Sequence, residues 1–185
     1  MLPLQEERIG LDRHRKYSFS WSLIGNIATG RPNLGNSTRL EIYRLMQFTL
    51  RDALESSYGS DEADRLFYQA GKLAGIEYYR HILGEVNSFE HFIVQLQSSL
   101  KEMSIGIFRV EESDLENGRF VVTMSEDLDC SGLPELDFEI CTYDEGFIAG
   151  ILESYTHQPF RVKEVDCWCT GDRTCRFVAE VIPSL

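Results

Sequence analysis

Glu164, Cys167 and Cys175 flank a tight turn, Thr170-Gly171-Asp172-Arg173, in a stretch that holds four of the five cysteines, the others being Cys141 and Cys169. Phe160 to Trp168 and Cys175 to Ile182 are rich in β-favouring residues, so a β-hairpin is predicted across the turn. With seven residues between them, Cys167 and Cys175 come back within reach of each other. Cys141 lies 23 positions before Glu164, on the far side of a predicted helix from Asp144 to Tyr155. In that helix Phe147, Ile148, Ile151, Leu152 and Tyr155 recur at helical spacing, while Gly146, Ala149 and Gly150 leave a face small enough for close packing. Three thiolates and one carboxylate suit a tetrahedral zinc ion, and a closed shell of four protein ligands is structural rather than reactive. Alternation along a strand opposes this, because Glu164 and Cys167 have opposite parity and share a ligand only if the strand bulges or ends between them. The plainer reading is buried free thiols, since cysteine behaves as a small core residue. With no paired C-x-x-C and no histidine in the set, spacing leaves both readings open.

The run Cys141-Thr-Tyr-Asp-Glu-Gly146-Phe-Ile-Ala-Gly150, followed by Glu164-Val-Asp-Cys167 and Gly171-Asp172-Arg-Thr-Cys175-Arg176-Phe177, resembles the 4-vinyl-reductase domain family of hydrocarbon-binding modules. The likeness extends upstream through Phe67-Tyr-Gln-Ala-Gly71-Lys-Leu-Ala-Gly75 to Leu40-Glu-Ile-Tyr-Arg-Leu and Gly35. It implies the mixed fold of the TRAPP vesicle-tethering subunits. It also implies a zinc ion held, as in family members that sense aromatic effectors for bacterial transcription activators, by Cys141, Glu164, Cys167 and Cys175. The family is named for an assigned part in reducing a vinyl group during bacteriochlorophyll formation, but reduction needs a hydride or electron source and no site for one is visible.

The elements that position these residues follow in chain order. Arg13-His14-Arg15-Lys16 precedes Tyr17-Ser-Phe-Ser-Trp21, read as an arm and a first strand over residues 1–29, with a single ligand-binding domain over 30–185. Gly25 to Ser37 reads as loop. Thr38-Arg-Leu-Glu41 has the capping-box pattern ahead of Ile42, Leu45, Met46, Thr49, Leu50, Ala53 and Leu54 at helical spacing, ending near Tyr58-Gly59. Ser60 caps a second predicted helix whose Gly71 and Gly75 require the close approach of another helix, within the core or across a dimer interface, because each glycine costs about 1 kcal/mol against alanine. Asn87 and Glu90 repeat the capping pattern before Phe89, Phe92, Ile93, Leu96 and Leu100. Ile107 to Glu111 and Arg119 to Met124 flank an Asn117-Gly118 hairpin turn. The fold class expected is α+β: N-terminal helices packed on a four-stranded antiparallel sheet with one inserted helix.

Composition narrows the function. A net charge of −12 disfavours direct nucleic-acid binding, which needs an excess of Lys and Arg. Twelve acidic residues against one basic between Glu111 and Glu145 read as a solvated face or as a docking surface for a basic protein partner. No apolar run is long enough to cross a bilayer or to serve as a signal peptide, and five cysteines suit a reducing cytoplasm. Phosphate-cradling, dinucleotide-binding and nucleophile-elbow motifs are absent from the sequence. The expectation is a non-enzymatic, homodimeric, cytoplasmic domain that encloses an apolar ligand, a hydrocarbon or a tetrapyrrole, lined by Tyr78, Tyr79, Phe89, Phe92, Ile93 and Leu96, with zinc pinning the C-terminal hairpin. The alternatives are an accessory or carrier factor in chlorophyll or other tetrapyrrole metabolism and a TRAPP-like protein-interaction scaffold.

Overall fold

The computed structural model describes residues 16–183, in two compact units that meet in sequence at Ser37 and Thr38. In the first unit a 3₁₀ turn, Trp21–Ile24, is followed by a single helical turn, α1 (Ile27–Gly30), whose Asn26 side chain accepts from the Thr29 amide at 3.0 Å. The strand predicted around Tyr17 to Trp21 does not form among its described residues, because an extended segment needs a hydrogen-bonding neighbour to become one. Most of the basic cluster lies outside the described residues.

The second unit runs α2 (Leu40–Tyr58), α3 (Ser60–Tyr78), α4 (Phe89–Glu102), β1 (Ile107–Asp114), β2 (Arg119–Ser125), α5 (Thr142–Thr156), β3 (Phe160–Asp166) and β4 (Cys175–Val181). The four strands make one antiparallel sheet in the order β1-β2-β4-β3, so the two hairpins join through β2 and β4. Phe120, Val122, Phe160, Val162, Phe177 and Ala179 bury their side chains in one core with Phe92, Leu96 and Leu100 of α4 and Ile148, Ile151 and Leu152 of α5. The α+β architecture is as the sequence predicts.

Three helix starts differ from their predicted caps. α2 begins at Leu40 with Arg39 at the cap position and no side-chain cap, and Glu41, the expected reciprocal partner of Thr38, is taken by Arg39, whose Nε donates to it at 3.2 Å. Ser60 is the first residue of α3 rather than its cap, since Gly59, at φ +83°, turns the chain directly from one helix into the next and Ser60 Oγ donates back to Glu55. α4 is capped by Ser88, not Asn87, through the His91 amide at 3.3 Å.

The glycine ridge finds its partner inside the fold. Gly71 and Gly75 of α3 face Gly146 and Gly150 of α5, each pair four residues apart and therefore stacked on one helix face. A methyl group built on Gly71 would overlap the Tyr143 carbonyl oxygen, and one on Gly75 that of Phe147. Reciprocally, Gly146 meets the Tyr68 carbonyl and Gly150 that of Lys72. The helices thus touch backbone to backbone, with Lys72 and Glu153 paired across them at 2.6 Å. At the far end α3 passes into a π-helical turn, Tyr79–Leu83.

α2 is attached differently. Its one buried side chain is Arg51, which pairs with Glu55 at 2.8 Å and with Asp64 of α3 and sits 5.4 Å from the Phe67 ring centre. The apolar stripe read in the sequence as a core face is largely exposed: Ile42, Leu45, Met46 and Leu50 are each 52–63% accessible. The acidic run is not uniformly solvated either, because Asp127, Asp129, Asp144 and Glu145 are buried. Among the described residues no helix is long and apolar enough to cross a membrane.

Candidate metal centre and apolar interior

β3 delivers its side chains alternately, with Phe160, Val162 and Glu164 turned inward. The pairing with β4 then shifts between Glu164 and Asp166, leaving Val165 exposed, and the strand ends at Asp166. That irregularity cancels the parity conflict, so Glu164 and Cys167 are both fully enclosed. After Cys167 a 3₁₀ turn, Trp168–Thr170, closes with Thr170 Oγ1 accepting from the Cys167 amide at 3.2 Å, and β4 returns at Cys175. Cys141 occupies the cap position of α5, so the helix start faces the hairpin mouth.

The sulfurs of Cys141, Cys167 and Cys175 meet there, joined by a fourth that sequence reasoning passed over. Cys130 brings its Sγ within 4.8 Å of the other three. Cys130 and Cys175 are 3.1 Å apart, and Cys141 lies 3.9 Å from both Cys167 and Cys175. Cys169, also buried, is outside this group of four; its carbonyl accepts from the Leu136 amide at 2.8 Å. Glu164 stands beside the sulfurs: Oε2 accepts from the Cys141 amide at 3.2 Å, and the buried Oε1 has no hydrogen-bond partner among the described residues. Glu145 of α5 steadies this position by accepting from the Glu164 amide at 2.8 Å and from Lys163 at 2.9 Å.

The electrostatics favour a cation. Contacts with Cys130, Cys141 and Cys175 pull the Cys167 thiol far down, while contact with Cys130 and the other sulfurs pushes Cys141 far up, because one thiolate can be stabilised by neighbouring S–H groups but several cannot share so small a dry volume. Burial pushes Glu164 up to about 11, helped by Cys175 and Cys167, and Asp127 to about 7; Asp129 and Asp144 are raised by burial too. A carboxylate oxygen of Asp127, one of Asp144 and the Cys141 sulfur also lie within 4.8 Å of one another. The donor set of soft thiolates with hard carboxylates behind them, and the orphaned Glu164 oxygen, fit zinc.

The loop bearing Cys130 is clamped from α2. Arg44 donates to the carbonyls of Leu128 and Ser131, each at 2.9 Å, Tyr43 to Asp129 at 2.8 Å, and Gln47 to the other Asp129 oxygen at 2.7 Å. Asp127 Oδ1 in turn accepts the amides of Asp129 and Cys130 at 2.7 and 3.1 Å. Arg44→Ala is expected to cost about 2–3 kcal/mol, the range for hydrogen bonds from a charged donor; urea denaturation followed by circular dichroism measures it, and an unchanged midpoint would show that the clamp is not needed.

The predicted ligand-lining residues divide. Phe92, Ile93 and Leu96 border an apolar cavity of about 20 Å³ between α4, α5 and the sheet, together with Phe108, Met124 and Phe147 among others. Phe89 packs on Phe92, Phe120 and Tyr155 instead, while Phe92 stacks on Tyr155 with ring centres 4.2 Å apart. Tyr78 packs edge-on to Phe147 and Tyr79 lies in the π-helical turn, 6.3 Å from the Phe92 ring. None of Tyr78, Tyr79 and Phe89 lines the cavity.

The hairpin with its cysteines coincides with a known family: residues 120–181 match the 4-vinyl-reductase domain. This chain belongs to that family. Two uncharacterised proteins of Methanocaldococcus jannaschii are each 26% identical to it, over 80% and 86% of this chain and 81% and 84% of theirs. A vinyl-4-reductase family protein from the same organism superposes with a TM-score of 0.58 at 19% identity, covering 80% of this 4-vinyl-reductase-domain chain and 85% of its own. The phenol-responsive sensory domain of the transcription activator PoxR, with phenol, gives 0.62 at 14% identity over 72% and 71% of the two chains. Subunit 3 of a trafficking protein particle complex from Naegleria fowleri, covalently bound to palmitic acid, gives 0.63 at 12% identity over 79% and 96%. At these identities the solved structures establish the shared fold.

Proposed function

We propose that this 4-vinyl-reductase-domain chain is a non-enzymatic binding domain that takes up an apolar small molecule between α4, α5 and the sheet, with a structural zinc ion fastening the C-terminal hairpin beneath it. The observation that carries the reading is the lining of the interior cavity, which is apolar throughout. Phenol and palmitic acid accompany two proteins of the same fold, which supports an apolar guest. The cavity of about 20 Å³ is closed around its own side chains. A guest the size of benzene needs about 150 Å³, so uptake requires α4 to shift or its half-buried Ile93 and Phe89 to change rotamer.

Native mass spectrometry and thermal denaturation with phenol, palmitic acid and a porphyrin test the proposal. One class is expected to bind one per chain and raise the melting temperature, and Leu96→Trp, which fills the cavity, is expected to abolish binding while leaving the zinc content unchanged. A coloured guest after purification selects the tetrapyrrole carrier. The tightly closed interior and the exposed apolar stripe of α2 favour a second reading, a TRAPP-like scaffold working through protein contacts. No binding by any of the three probes would establish that reading over the first.

A further inference from the structure

Zinc with four protein donors is tetrahedral, and sulfurs about 2.3 Å from the metal then stand about 3.8 Å from one another. Cys141 already meets that spacing with Cys167 and with Cys175, at 3.9 Å in each case, and Cys130 completes a group whose members all lie within 4.8 Å of one another. Only the 3.1 Å separation of Cys130 from Cys175 would have to widen. All four side chains are buried to 1% exposure or less, so each sulfur is held by packing before any metal arrives.

Five donors surround a position that accepts four. Glu164 differs from the cysteines in already having a task, since its Oε2 accepts the Cys141 amide proton and so fixes the backbone of a residue whose sulfur faces the site. Cys130 has no such alternative role, yet its loop is elaborately held: the Asp127 carboxylate gathers two of its amides, the Leu128 amide donates to the Ile105 carbonyl at 2.8 Å, and three side chains of α2 grip it from outside. Zinc is also better matched to thiolate than to carboxylate when both are offered.

We propose that the fourth ligand in this chain is Cys130, which makes the centre all-sulfur and leaves Glu164 outside it as the residue that positions Cys141. The inference rests on the zinc reading above and changes its consequence. With Cys130 in place of Glu164 the metal ties three segments together, the Cys130 loop, the start of α5 and the β3–β4 hairpin, where the other set would tie only two. Through Tyr43, Arg44 and Gln47 the loop also connects the centre to α2.

X-ray absorption at the zinc edge, on full-length protein loaded with one equivalent of zinc, separates the alternatives. Four sulfur scatterers at about 2.3 Å are expected in the wild type and in Glu164→Gln, falling to three plus one lighter atom near 2.0 Å in Cys130→Ser. Three sulfurs and one oxygen in the wild type, with the oxygen lost in Glu164→Gln, would overturn the assignment while leaving the zinc reading intact. Wild type that retains no zinc after dialysis would overturn both. Should Cys130→Ser fail to fold, the wild-type and Glu164→Gln spectra decide the question alone.

Discussion

Gly146→Ala is expected to destabilise the second unit by about 3 kcal/mol, at the upper end of the range for overpacking a tight interior. Its added methyl would lie on the Tyr68 carbonyl oxygen, with the Lys72 amide next nearest. Both are backbone atoms of α3, so no side-chain rotation relieves the overlap and the helices must separate. Alanine gains about 1 kcal/mol over glycine in helix propensity, so a destabilised variant reports packing that outweighs a favourable local change. Separation would also pull α5 from the sheet and move Cys141 at its start away from the hairpin, so zinc affinity is expected to fall in the same variant. Equilibrium urea denaturation measures the first effect and competition with a chromogenic chelator the second. Gly71→Ala, which overlaps the Tyr143 carbonyl from the other helix, should behave alike. If Gly146→Ala instead stabilises the protein, the backbone contact between α3 and α5 is not what these glycines serve.

Removing the metal should have the larger effect. Four buried sulfurs with a buried carboxylate beside them hold one another against ionisation, and a divalent cation relieves all of them at once. Zinc free energies of about 10–16 kcal/mol drive the folding of small zinc domains outright. This unit has an apolar core of its own, so stripping zinc is expected to lower its melting temperature by roughly 10–15 °C, about 4 kcal/mol at 2–4 °C per kcal/mol, rather than to unfold it. Cys175→Ser should reproduce the loss in the presence of zinc. Ligand thiols must lose their protons to bind, so zinc is held in neutral and alkaline solution and released as pH falls. Hydrogen exchange is expected to quicken first in the Cys130 loop and the β3–β4 turn, the segments the metal joins, while α3 and α5 keep their protection. A melting temperature unchanged by a strong chelator, with zinc shown to be absent afterwards, would remove the structural role assigned to it.

The hairpin half of the site was legible because its signals are local. Gly171 at a tight turn and β-rich flanks specify the antiparallel return, and the opposite parity of Glu164 and Cys167 already required the irregularity that the strand shows after Glu164. The glycine pairs declared a close helix contact for a similar reason, since glycine inside a helix needs a compensating contact. Helix caps were misplaced by one or two residues because Ser, Thr and Asn patterns compete over so short a distance, and at Gly59 a positive φ joins two helices with no side-chain cap at all.

Cys130 left no local mark. It lies in a loop between the hairpins, eleven residues before Cys141, and the only signal was that a fifth cysteine stood in a chain whose other four were clustered. The two faces of α2 were equally hidden. Its apolar residues recur as a core stripe would, yet Ile42, Leu45, Met46 and Leu50 face outward while Tyr43, Arg44 and Gln47 grip the Cys130 loop. Periodicity says that a helix has an apolar face and not what covers it. Residues near one another in the chain suffice to specify the elements, the two hairpins, the need for a glycine contact and three of the sulfurs. Which helix the glycines meet, how far the core fills its own cavity and that a fourth sulfur joins the other three each depend on segments that only packing brings together.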